Sequence, residues 1–254
     1  AIQFNSDVVC IGMIMESVYG NVEILPSTER LLINSEEEKI KKIYIEAYID
    51  GNRKGFSECW NKLYKKEVLK NNNIVFNEKK TYGEDYEFNL CVFTNVLNII
   101  ILPCALYFYN RKNDDSSTRK YMDNMLSTSI NGYKTKIEYC DRWNLSTINN
   151  INKINWQFFL TIKACISNEA RGNGKTSIKE RKKYINEIKQ NSVVKNSVNQ
   201  LINSNMTIGR KIQVYVFIHL HSYSLLYLYL FREIAIKGIK LILKVINKKR
   251  GYRK

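Results

Sequence analysis

The sequence predicts an α/β protein: a mixed sheet with flanking helices in its first half, followed by an α-helical C-terminal extension. Three observations carry that assignment. Residues Asp7 to Met15 form a nearly continuous apolar run, as in a strand buried on both faces of a parallel or mixed sheet. Between Ser35 and Tyr109, helical spacing of apolar residues is interleaved with short strand-like runs. From Tyr121 onward the patterns are helical.

Gly20-Asn21 marks a turn, and Val22 to Leu25 a short strand that Pro26 ends. Ser35-Glu36-Glu37-Glu38 is a capping-box signature, and the helix behind it presents Ile40, Ile43 and Ala47 on one face. Trp60 to Leu69 reads as a second helix, stopped by Asn71-Asn72-Asn73. On that helix Trp60, Leu63, Tyr64 and Leu69 are core candidates, and Lys62, Lys65 and Lys66 can form a solvated face. Thr81 to Phe88 then places a Gly83-Glu84-Asp85 turn at the mouth of a helix whose apolar residues are Phe88, Cys91, Val92 and Val96. Glu84 and Asp85 fall in its first turn, where free N–H groups and the helix dipole favour negative charge. Asn98 to Leu102 and Ala105 to Tyr109 are strand segments broken by Pro103, and Arg111 to Thr118 is a polar loop.

The second half differs in charge as well as in pattern. Residues 1–118 carry 14 Lys and Arg against 17 Asp and Glu, whereas residues 119–254 carry 26 against 7, so the net +16 belongs to the C-terminal half. Met122, Met125, Leu126, Ile130, Tyr133 and Ile137 give helical spacing, and Trp156 to Ile166 a further apolar stretch. Arg171-Gly172-Asn173-Gly174-Lys175-Thr176 is not a phosphate loop, because Glu169 stands where the first glycine is needed and no apolar strand precedes it. Ile212 to Phe231 lacks charged residues and is long enough to span a bilayer, but Gln213, His219, His221, two serines and four tyrosines make it a poor hydrocarbon helix. Lys237, Lys240, Lys244 and Lys248 then recur among aliphatics as a basic amphipathic helix, whose natural partner is an anionic membrane surface. Because that helix alternates lysine with aliphatic rather than aromatic residues, no nucleic-acid partner is expected. Six scattered cysteines without a C-x-x-C pair argue against a metal cluster or disulfide framework and fit a reducing cytoplasm.

One ordered set of motifs carries a resemblance. Trp60-Asn61-Lys62-Leu63-Tyr64-Lys65 is followed by Ile74-Val75-Phe76-Asn77-Glu78, then Gly83-Glu84-Asp85, then Tyr107-Phe108-Tyr109-Asn110-Arg111 and the pair Ser116-Ser117. This order resembles the C-terminal half of the catalytic domain of family 2 glycosyltransferases, most closely those of bacterial surface-polysaccharide synthesis. The resemblance implies a partial GT-A-type sheet over residues 1–118 as the acceptor side, while the residue patterns themselves divide the rest into a helical extension over 119–205 and a basic amphipathic, membrane-facing segment over 206–254. The resemblance also implies inverting sugar transfer from a nucleotide-sugar donor to a glycan or lipid-linked acceptor, with Asp85 as general base and Glu84 orienting it or the acceptor. Gly83 leaves room at the sugar, Trp60, Asn61 and Lys62 wall the acceptor or donor pocket, and Arg111, Ser116 and Ser117 belong to a loop over the donor phosphates.

The resemblance further implies a divalent metal, Mn or Mg, in the full-length enzyme, although this chain offers no ligand set for one: Asp114-Asp115 lies after the Gly-Glu-Asp turn, where the family's metal-binding acids lie before it. The nucleotide-binding half that precedes Asp7 in the family order is therefore expected to be missing from this sequence, which alone would be inactive. The expected location is cytoplasmic, peripheral to the inner face of the plasma membrane. The alternative is a catalytically inactive glycosyltransferase-like module that binds a membrane surface or a partner.

Overall fold

The structure, a computed structural model, describes residues 3, 5–17, 20–51, 55–78, 80, 83–109, 121–172 and 176–235. The chain forms two compact units, Ala1–Arg119 with Thr135–Lys153 and Lys120–Lys134 with Ile154–Lys254. The first is mixed α/β and holds the sheet, as the apolar run predicted. Its strands are β1 (Val8–Ser17), β2 (Gly20–Ile24), β3 (Leu31–Ile33), β4 (Lys62–Tyr64) and β5 (Ile99–Tyr109), in the order β2-β1-β5-β3 with β4 also on β1. Among the described residues, only β1 and β5 run parallel. Val8, Val9, Cys10 and Met13 are all buried, so β1 is covered on both faces where β4 and β5 flank it.

Pro103 does not split β5 into two strands. Cys10 pairs with Ile101 but Gly12 with Ala105, so β5 bulges around the proline and the ladder resumes beyond it. A residue without an N–H is tolerated in a central strand only at such a bulge. Gly12 lies against this irregularity, where a Cβ would stand 2.6 Å from the Ile24 carbonyl oxygen and 3.2 Å from that of Cys104.

The Ser35 hydroxyl accepts the Glu38 N–H at 3.2 Å and starts α1 (Glu36–Lys39). The helix then widens into a π-helix over Ile40–Ile49, closed by an i→i+5 bond from Asp50 N–H to Ile45 O at 2.8 Å. Wider turns bring residues four and five apart to one face, so Tyr44, Tyr48 and Ile49 join Ile43 and Ala47 in the core while Ile40 is only partly buried. Lys39 is buried too, its Nζ 2.6 Å from Glu36 and donating to the Val96 carbonyl at 2.9 Å.

The helix expected over Trp60 to Leu69 is corrected. Lys62–Tyr64 is β4, paired to Val8–Cys10, and α2 begins only at Lys66 and ends at Asn71 (Lys66–Asn71). Sheet pairing overrides the local helical pattern, and the two-residue alternation turns Lys62 inward and Leu63 out to solvent. Lys65 and Lys66 are exposed as expected, and Asn73 at φ 50° stops the helix. Next comes α3 (Glu84–Asn95), whose buried face holds Phe88, Asn89, Val92 and Phe93 against Ile43, Ile99 and Ile101.

The second unit is helical. Its members are α4 (Met125–Arg142) and α5 (Ile148–Arg171), each of which also contributes residues to the first unit, and α6 (Ile178–Gln190), α7 (Ser192–Ile202), α8 (Ile208–His219) and α9 (222–235). Phe159, Ile162, Ile166, Ile185, Val194 and Leu226 centre its core. Ser177 and Glu180 form a complete capping box at α6, with Ser177 N–H donating to Glu180 Oε2 at 2.7 Å. Arg171 ends α5 and Gly172 follows at φ 63°, so that glycine-containing segment leaves a helix rather than a strand. The uncharged run 212–231 is interrupted at extended Leu220, and among the described residues no helix is long and apolar enough to cross a membrane.

Gly12→Ala forces two backbone oxygens apart at the bulge. We expect a loss of about 2 kcal/mol in unfolding free energy by urea denaturation, the range typical of overpacking.

Candidate functional site

The site begins with a loop, residues 55–61, whose carbonyl groups turn inward. Buried carbonyls need donors, and two adjacent side chains provide them. Asn61 Nδ2 donates to the carbonyls of Ile11 and Gly55, both at 2.9 Å. Lys62 Nζ donates to Gly55 O at 2.7 Å, to Asn61 Oδ1 at 2.9 Å and to the Glu58 carbonyl. Tyr48 OH adds a bond to Phe56 O at 3.2 Å. Asn61 and Lys62 are both buried, and these contacts hold the loop that carries Cys59 and Trp60.

Against this loop lies the N-terminus of α3. Gly83, its N-cap, has φ 76°, a left-handed conformation that costs other residues about 1–2 kcal/mol. Asp85 Oδ2 accepts the Cys59 N–H at 3.1 Å, which ties the carboxylate to the loop. One turn further on, Asn89 is fully buried and binds in three directions. Its Nδ2 donates to Asp85 O at 2.9 Å and Ser57 O at 3.1 Å, and its Oδ1 accepts Tyr64 OH at 2.8 Å. Glu84 is half-exposed in the same first turn, and Glu87 pairs with Lys80 at 2.6 Å.

Trp60 stacks on two rings of β5, Tyr107 at 4.3 Å between centroids and Tyr109 at 5.2 Å. The two tyrosines are two residues apart and so share a face of the strand. The structure thus brings Trp60, Asn61, Lys62, Gly83, Glu84 and Asp85 together around one loop and one helix end. Arg111, Ser116 and Ser117 lie outside the described residues, as does the basic segment from residue 236 onward. Sequence reasoning missed Asn89 and took Tyr64 for a core candidate on a helix; a polar residue flanked by Phe88 and Val92 on an apolar helix face was the available signal for Asn89.

Burial dominates the electrostatics. It lowers the pKa of the Lys62 ammonium despite nearby acidic groups, and raises the Cys10 thiol to about 11. Burial raises Cys59 to about 12, with the Asp85 charge adding to it and the Tyr64 hydroxyl opposing. Tyr64 is itself pushed up by burial and by Cys59. These thiols are therefore neutral near pH 7 and poor nucleophiles. Among the described residues, no three His, Cys, Asp or Glu side chains are grouped to hold a metal ion.

No known protein-family profile matches the chain. One stretch is similar to an uncharacterized glycosyltransferase, EpsJ, of Bacillus subtilis (strain 168), at 31% identity over 91 residues. That stretch covers 34% of this chain and 25% of the relative's length. The similarity supports a glycosyltransferase-like relationship at most.

Two outcomes follow from the buried groups. Lys62→Met leaves the Glu58 carbonyl and Asn61 Oδ1 without their donor and Gly55 O with Asn61 Nδ2 alone, so denaturation should show a loss of about 2–3 kcal/mol. Cys10, Cys59 and Cys165 all contribute to the alkaline limb of stability, since their folded pKa values exceed the unfolded value near 8.5–9. The unfolded chain releases these protons first, so stability falls as pH rises from about 9 toward 11. Lys62, lowered by burial, acts with the opposite sign in that range. In the double variant Cys10→Ala/Cys59→Ala the fall between pH 9 and 11 should be shallower in pH-resolved urea titrations.

Proposed function

We propose that this chain carries the acceptor side of an inverting, nucleotide-sugar-dependent glycosyltransferase of the family 2, GT-A kind, with Asp85 as general base. The observation that carries the reading is the Asp85 carboxylate, fixed at the open N-terminus of α3 by the N–H of the residue before Trp60. The partial likeness to a glycosyltransferase supports the same class.

In this reading an acceptor hydroxyl lies against Asp85, which takes its proton as the acceptor oxygen attacks the anomeric carbon. The new bond forms opposite the departing nucleotide diphosphate, whose oxygen leaves with the electron pair, and the configuration inverts. Cys59 N–H keeps Oδ2 oriented, and Asn89 holds the turn that carries the base. Glu84 orients the acceptor, and Gly83, without a side chain, leaves open space where a Cβ would stand. Trp60, braced by Tyr107 and Tyr109, offers an aromatic surface suited to a sugar ring.

Asn61 and Lys62 enter this reading as the braces of the pocket wall, since their polar atoms are engaged by the loop. Arg111, Ser116 and Ser117 would serve the donor phosphates. A divalent ion would offset the leaving-group charge in such an enzyme, but the described residues do not fit one, and no step here runs through it. The acceptor in this reading is a glycan or a lipid-linked acceptor of surface-polysaccharide synthesis, and the work is done at the cytoplasmic face of the plasma membrane.

The test is donor turnover by protein expressed from the complete reading frame, with a panel of nucleotide sugars and Mn²⁺ or Mg²⁺. Asp85→Asn should lower kcat by about 10²-fold or more, the usual contribution of a general base, with donor KM within about threefold. Full activity in Asp85→Asn would remove the base assignment. Absence of any turnover in the wild type would favour a glycosyltransferase-like binding module.

A further inference from the structure

Exposed large apolar side chains are concentrated on the last two described helices. Ile208, Ile212 and Tyr215 follow one another along a face of α8 at 78%, 57% and 64% exposure. On α9, Tyr227, Phe231 and Ile234 are spaced by four and three residues, with Phe231 73% and Ile234 66% exposed. The opposite faces of the same helices are already used, because Val214, Phe217 and Leu226 lie in the core of the second unit. Each helix therefore has two apolar faces and packs only one of them. Apolar surface of this extent marks a site of interaction.

Charge identifies the partner. From Met206 to the C-terminus the sequence holds 11 Lys and Arg against one acid, Glu233. Arg210, Lys211 and Arg232 belong to α8 and α9, and the other eight to the sequence that follows α9. A segment of such one-sided charge meets a second copy of itself unfavourably. A sheet of anionic headgroups complements them, and its hydrocarbon boundary takes up the apolar side chains beneath. Tyrosine suits that boundary, with a ring for the apolar layer and a hydroxyl for water. Since no described helix is long and apolar enough to cross a bilayer, the fit is to helices lying on its surface.

We infer that the outer faces of α8 and α9 form a docking surface for an anionic lipid bilayer, in which Phe231 and Ile234 enter the headgroup–acyl boundary. The inference does not depend on the proposed transfer chemistry, and its test needs no sugar donor. The full chain is floated with phosphatidylcholine vesicles, with and without about one third phosphatidylglycerol. Wild type should partition at least ~10-fold more strongly onto the anionic vesicles, less so as salt rises. Phe231→Ser/Ile234→Ser should reduce that partition by ~10-fold or more while the thermal melt stays put, because both positions are exposed.

Equal partition onto both vesicle types, no binding, or binding unchanged in the double variant would each overturn the inference. Light scattering without lipid covers the other occupant. A wild-type dimer that the double variant converts to monomer would assign the face to a second copy and overturn the bilayer reading.

Discussion

Carbonyl groups shut away from water must find donors, and the first unit is arranged around that requirement. The loop 55–61 turns carbonyls inward, and Lys62, projecting inward from β4, donates to two of them, Gly55 O and Glu58 O, and to the Asn61 side-chain oxygen. Asn61 adds a bond back to β1 through Ile11 O. With the loop fixed, Cys59 N–H is available to the Asp85 carboxylate, and Trp60 is held against Tyr107 and Tyr109. A lysine that packs as a buried structural cation thus determines where a carboxylate and an indole sit.

The same logic extends one helical turn into α3. Asn89 spends both ends of its amide, tying Asp85 and Ser57 on one side and Tyr64 on the other. Helix, loop and β4 are thereby joined through one buried side chain. A network with every member satisfied rigidifies its surroundings, which is what a positioned base requires. Behind it the parallel pair β1 and β5 carries the load, and Gly12 with Pro103 allows the two strands to stay paired across a change of register.

The two units rely on different means. The first combines a small sheet with specific polar bracing, whereas the second is built of amphipathic helices around an aromatic and aliphatic core. Part-buried polar contacts brace it too, as in Tyr121 to Glu169 and Tyr133 to Asn155, both at 2.8 Å. Its last helices carry apolar side chains beyond what that core absorbs.

By itself the sequence determined what depends on near neighbours. The apolar run of β1, the Ser35 cap, the stop at Asn73 and the helix opening at Gly83 are each set by a few adjacent residues, and all are present in the structure. The motif order from Trp60 to Ser117 also marked the region in which Trp60, Glu84 and Asp85 come together. Tertiary structure decided what depends on partners distant in the chain. Trp60 to Leu69 has helical spacing, yet pairing with Val8–Cys10 makes its middle a strand and buries Lys62. The widening to a π-helix after Lys39, the bulge at Pro103 and the role of Asn89 were equally illegible. Each is fixed by contacts across many residues, and a side chain's local pattern does not record which backbone groups elsewhere lack a donor.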